Sequence, residues 1–252
     1  MPIERVLYCH CANTALTPDA KRAPVLAALA RTRLDVLAVP DLCALAAARD
    51  PRLNDWFAAG PVLVIACYSR TVRWLLRWAD VGFDPAGTEI VNLRTDAPEI
   101  ALSRLSGQTD APRRSLPALD AKPDWMPWFP VLDKDRCTNC RQCLSFCPFG
   151  VYEMKDGSVT VSNPANCKNN CPACARICPA LAIVFPKLTD APLNGAPVTE
   201  EDAARRREAK SNLDGETDVH ALLARRRMKA AAGRFARNLE TASDRNRPGV
   251  PS

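Results

Sequence analysis

Eight of the twelve cysteines in this 252-residue chain fall in two runs of nearly the same spacing. Cys137, Cys140, Cys143 and Cys147 are separated by two, two and three residues, with Pro148 next. Cys167, Cys171, Cys174 and Cys178 are separated by three, two and three, with Pro179 next. The last three cysteines of the runs lie 31 residues apart and the first pair 30, so the second run is an internal duplicate with one residue inserted. Spacings this short let three thiolates converge on one inorganic centre, while the fourth cysteine lies further on and the proline after it turns the chain away. Zinc knuckles are the competing reading, because short Cys-x2-Cys spacings also suit zinc. Duplicated runs that each end in Cys-Pro weigh against it.

Both runs resemble those of the bacterial two-cluster ferredoxins, whose fourth cysteine reaches the other cluster. The resemblance implies that Cys137, Cys140, Cys143 and Cys178 hold one [4Fe–4S] cluster and that Cys147, Cys167, Cys171 and Cys174 hold the second. The flanks fit such a module. Tyr152 to Met154 and Val159 to Val161 read as a hairpin around Asp156-Gly157, a type I′ turn signal. Val131-Leu132 and Ile183-Val184-Phe185 are expected to pair as another small sheet. Trp125, Trp128 and Phe129 are expected to cap that module's core or the seam beside it rather than bind a ligand.

Ahead of the module, short apolar strands alternate with helical patterns. Strands are expected at Val6–Tyr8, Leu34–Val39, Pro61–Cys67 and Glu89–Leu93, with helices from Pro18, Asp41, Pro51 and Ser69. Continuous apolar strands in β–α alternation argue a parallel, Rossmann-like sheet covered on both faces. The organisation expected is therefore an α/β domain over residues 1–95 and a linker over 96–123. An α+β dicluster ferredoxin domain follows over 124–188, then a polar, largely disordered or helical tail over 189–252. The tail carries Arg205–Arg207, Arg225–Arg227, His220 and a weak apolar stripe between Val219 and Leu239, and reads either as a solvated segment or as a docking arm.

The four remaining cysteines are Cys9, Cys11, Cys43 and Cys67. Three of the first domain's strands end near them, and in an open parallel sheet such carboxyl ends share one edge where crevices form. Spacing alone leaves two readings, a metal or cluster site or a set of small buried hydrophobes. Tyr8-Cys9-His10-Cys11-Ala12-Asn13, Leu42-Cys43, the stretch from Val64 to Thr71 and Ile90 to Arg94 resemble the N-terminal domain of the heterodisulfide reductase A subunit. That likeness covers about residues 4 to 95, and it implies a third iron–sulfur cluster on Cys9, Cys11, Cys43 and Cys67. Ala12 stands where that family has glycine. The family's flavin domain has no counterpart: there is no Gly-x-Gly-x-x-Gly, and the space between the modules is too short. Neither flavin nor nicotinamide is therefore expected. His10 is read as a neighbour of the ligands rather than one of them.

The net charge of +6 is of the size that thiolate-bound clusters, each carrying about −2, would offset. No basic stripe with interleaved aromatics supports nucleic-acid binding. No apolar run reaches the roughly 18–20 residues of a membrane span. The N-terminus reads as the lead-in to a strand, which with so many thiols points to a reducing cytoplasm. No catalytic residues are assigned, since no Ser–His–Asp or Cys–His arrangement is recognisable. The expected function is one-electron relay through two or three clusters, serving redox partner proteins (a flavoprotein or other oxidoreductase subunits) within a heterodisulfide-reductase-like or other oxidoreductase complex. The alternative is a reductase whose N-terminal cluster handles a thiol or disulfide substrate.

Overall fold

The computed structural model describes residues 3–120 and 124–214, with side chains through residue 208. Among these, residues up to Ala203 belong to one compact unit. Its first part is a four-stranded sheet built from β1 (Arg5–Cys9), β2 (Asp35–Val39), β3 (Val62–Ala66) and β4 (Thr88–Asn92). The order is β2-β1-β3-β4 and every pairing is parallel. The four expected strands thus fall into a doubly covered α/β layer, and β3, buried at all five positions, is its apolar centre.

Helices α1 (Asp19–Leu29), α2 (Leu42–Ala47), α3 (Pro51–Ala58) and α4 (Ser69–Trp78) cover the sheet. From β1 the chain crosses to β2 on one side, and the next strand, β3, lies on the other side of β1. This order makes the carboxyl ends of β1 and β3 the switch point, where an open sheet leaves a crevice. Helix α4 starts at Ser69, and the residue before it holds the cap position. That residue is Tyr68, which offers no capping side-chain bond.

The stretch read as a linker is more ordered than expected. Residues Pro98–Leu105 form α5, with Pro98 at the start, and Ala101 and Leu105 are fully buried in the core shared with β1 and β3. Further on, the Arg114 guanidinium donates to the carbonyls of Thr32 and Leu34 at 3.1 and 2.6 Å, and Leu119 is buried. Composition concealed this: only three or four apolar residues face inward, and the remainder are Ser, Asp, Pro and Arg.

The cysteine-rich part contains β5 (Val131–Leu132) paired antiparallel with β8 (Ile183–Val184), and the hairpin β6 (Tyr152–Lys155)–β7 (Ser158–Val161). Asp156 and Gly157 both take positive φ (49° and 73°), as the type I′ turn requires. Short helices α6 (Gln142–Phe146) and α7 (Ala173–Ile177) carry the third cysteine of each run.

The sheet and the cysteine-rich part share packing. Phe129, Val131 and Val184 lie in the same core as Val72 and Leu75 of α4, and Trp128 packs on Phe185 in the neighbouring core. The Trp78 ring contacts Phe129 at 5.1 Å and donates through Nε1 to the Val161 carbonyl at 2.8 Å. The three aromatics thus do what the sequence led us to expect, Phe129 and Trp125 on one side of the seam and Trp128 on the other.

The expected tail also begins later than residue 189. Pro192 to Gly195 are buried. The Phe185 N–H donates to the Leu193 carbonyl, and the Thr71 hydroxyl donates to the Asn194 carbonyl at 3.1 Å. Helix α8 (Glu200–Asp214) starts with a reciprocal cap between Thr199 and Asp202 and contains Arg205–Arg207. The apolar stripe from Val219, Arg225–Arg227 and His220 lie outside the described residues.

Candidate iron–sulfur sites

None of the twelve cysteines is paired in a disulfide, and the fold gathers them into three pockets. The first pocket is lined by Cys137, Cys140, Cys143 and Cys178, together with Leu132, Val159 and Ile183, around about 330 Å³ of atom-free space partly open to solvent. Cys143 and Cys178 are buried, whereas Cys140 is exposed. Cys140 sits between Asn139 and Arg141, both with positive φ (53° and 62°). This alternating backbone is the kind that turns successive N–H groups toward an anion. The Asn139 side chain fastens the loop to the hairpin, donating to the Gly157 carbonyl at 2.7 Å and accepting from the Val159 N–H at 3.0 Å. Cys178 Sγ accepts from the Ala182 N–H at 3.3 Å.

The second pocket is lined by Cys147, Cys167, Cys171 and Cys174, with Pro130, Pro148 and Tyr152, around about 320 Å³. Tyr152 donates its buried hydroxyl to Cys174 Sγ at 3.1 Å. The residue inserted between Cys167 and Cys171 is taken up without losing the grouping, because Asn170 keeps the positive φ (60°) of its counterpart Asn139. Phe146 and Phe149 also line this pocket while staying partly exposed to solvent.

The third pocket lies at the switch point of the sheet. Cys9 ends β1, Cys11 follows it with φ of 56°, Cys43 is on α2 and Cys67 follows β3. All four line one pocket of about 440 Å³ with Arg94 and Lys187. Asp41 ties together residues around it. It caps α2 by accepting from the Ala44 N–H at 3.2 Å, accepts from Asn13 Nδ2 at 2.9 Å, and pairs with Lys187. Cys9 Sγ accepts from the Leu42 N–H at 3.2 Å. Arg94 donates to the carbonyls of Pro186 and Leu188 at 2.8 and 2.9 Å, holding the segment that delivers Lys187. His10 does not line the pocket; its Nδ1 meets the Tyr8 hydroxyl at 3.3 Å.

Burial sets the protonation of the thiols in the metal-free chain. It pushes Cys143, Cys167 and Cys67 up to about 12 and Cys174 up to about 11. Cys43 is also raised by burial. Cys11 is the exception, lowered to about 6, first by its hydrogen bond with Cys9 and further by the Lys187 ammonium, against the opposing effect of burial. The same bond raises Cys9.

The donor sets fit iron–sulfur clusters: four cysteines line each pocket, and the first two pockets have largely apolar walls. Among the described residues no three His, Cys, Asp or Glu side chains are arranged to share a single ion.

Comparison with known proteins places the module. Residues 129–209 match the 4Fe-4S dicluster domain family. The chain therefore contains a 4Fe-4S dicluster domain of the ferredoxin kind. Over 60 residues it is 48% identical to an uncharacterized ferredoxin of Methanocaldococcus jannaschii, a match spanning 23% of this chain and 41% of that relative's length. Among the described residues no helix is long and apolar enough to cross a membrane.

The residues that sequence reasoning missed are Asp41, Lys187 and Tyr152. Asp41 had a visible signal, an acidic residue directly before a helical run. Lys187 had none, because its role depends on a contact spanning 146 positions.

Proposed function

We propose that the chain is an iron–sulfur electron carrier that passes single electrons through clusters held by three cysteine sets: Cys137, Cys140, Cys143 and Cys178; Cys147, Cys167, Cys171 and Cys174; and Cys9, Cys11, Cys43 and Cys67. The carrying observation is that each set, assembled from separate segments, lines one pocket of its own. When bound, such clusters supply reversible one-electron storage with little change in shape. The protein's part is to hold thiolates, exclude water and set the local charge.

The packing suggests an order of relay. Cys167 packs against the apolar core that also receives Cys9, Cys43 and Cys67. Pro130, next to Phe129 of that core, lines the second pocket. On this reading the second centre is the one next to the N-terminal set, and the first, with exposed Cys140, is the outer one. An α/β domain over 1–95 and a ferredoxin domain over 124–188 are then two stations of one conduit, and the outside partners are redox proteins such as other subunits of an oxidoreductase complex. The N-terminal resemblance to the heterodisulfide reductase A subunit supports this role, without the flavin chemistry of that family.

The test is stoichiometric reduction of the anaerobically prepared full chain, followed by re-oxidation with a one-electron acceptor protein. About three electrons stored and returned per chain support the relay. A chain that holds iron but accepts no electrons reversibly overturns it.

A further inference from the structure

The two halves of the cysteine-rich module are duplicates in backbone as well as in sequence. Asn139 and Asn170 both take positive φ, and so do Gly150 and Leu181, 31 residues apart, at 65° and 52°. One buried contact breaks the equivalence. The Tyr152 hydroxyl donates to Cys174 Sγ at 3.1 Å, and the residue 31 positions later is Ile183, which has nothing to donate.

We propose that Tyr152 is a potential-setting residue for the centre held by Cys147, Cys167, Cys171 and Cys174, its hydroxyl making that centre a better electron acceptor than the thiolates alone would. The inference rests on the electron-carrier reading. An electron taken from a reduced partner adds one negative charge to the site, and part of it falls on the thiolate sulfurs. A donor aimed at one of those sulfurs binds the more negative state more strongly. Tyr152 is buried, so water does not compete for the sulfur and the field of the hydroxyl dipole is poorly screened. The first centre has a donor too, the Ala182 N–H on Cys178, but that donor is backbone and is untouched by side-chain change. Removing the Tyr152 hydroxyl therefore isolates one centre.

The experiment is a potentiometric titration of the anaerobic full-length chain with one-electron mediators, read by EPR, for wild type and Tyr152→Phe. Each centre gains one electron as one mediator molecule loses one. One couple is expected to fall, its oxidised-to-reduced ratio at fixed potential rising about tenfold, or 59 mV for a one-electron couple. The others stay in place. A purely structural role would lower iron content without moving a couple whose iron is retained.

Should Tyr152→Phe lose iron, fluorotyrosine incorporated in the wild-type chain strengthens the same donor and is expected to raise that couple. The other tyrosines, Tyr8 and Tyr68, do not line the second pocket. Couples of the ferredoxin module that stay in place in the iron-replete variant, or in the fluorotyrosine protein, overturn the proposal. A wild-type chain with no reducible cluster would instead overturn the electron-carrier reading.

Discussion

Lys187 and Asp41 form an ion pair whose side chains are only 2% and 1% exposed, joining the segment after β8 to the N-terminus of α2. Burial alone would lower the Lys187 pKa, but Cys43, Asp41 and Cys11 around it raise it instead, so the ammonium stays charged. Lys187 lines the third cysteine pocket, and Asp41 stands behind it. The pair lets the end of the ferredoxin module complete the charge of the N-terminal site.

Breaking this pair leaves a buried charge unmatched. Lys187→Met is expected to lower unfolding stability by about 3–5 kcal/mol, measured by denaturant titration of the metal-free chain. Adding Asp41→Asn removes the stranded charge while keeping an N-cap acceptor. The double variant is therefore expected to be more stable than Lys187→Met alone.

Gly195 makes a second tie across the same seam. A Cβ there would lie 1.7 Å from Thr71 Oγ1, and the φ of +99° disfavours any side chain. Gly195→Ala is expected to cost about 1–3 kcal/mol in the same titration. Combined with Thr71→Ala the cost should fall short of the sum, because the clash is relieved while the backbone strain persists.

The crossed ligand sets make a pairing prediction. Cys147→Ser with Cys167→Ser damages one centre, so about four irons are expected to be lost. Cys147→Ser with Cys137→Ser damages two, and about eight should go. The reverse, about eight irons lost in the first variant and about four in the second, would assign the fourth cysteines within their own runs.

Thiols held near 12 must release protons to bind iron. In the metal-free chain Cys67, Cys143 and Cys167 are protonated throughout the neutral range. Cluster loading therefore releases protons and is favoured as pH rises, with Cys11, lowered to about 6, contributing little above neutrality. Chelator competition at pH 6.5 and 8.5 is expected to show tighter retention at the higher pH.

Much of this was legible because the decisive patterns are local. The cysteine spacings, the Asp156-Gly157 turn and the unbroken apolar run of β3 each declare themselves within a few residues. Helix α5 was not legible, since Ala101 and Leu105 are too few to mark a buried face among polar neighbours. Nor was the anchoring of Pro192 to Gly195, whose partners Thr71 and Phe185 come from distant elements. The grouping of Cys9, Cys11, Cys43 and Cys67 was partly legible: strand ends pointed to one edge, but the order β2-β1-β3-β4 was needed to put β1 and β3 side by side.

The most direct test of the account is iron and acid-labile sulfide per chain on anaerobically purified protein, with EPR of the reduced state. Three cysteine-lined pockets predict about twelve of each. About eight of each would contradict the three-centre relay, confining the clusters to the ferredoxin module and leaving Cys9, Cys11, Cys43 and Cys67 as thiols.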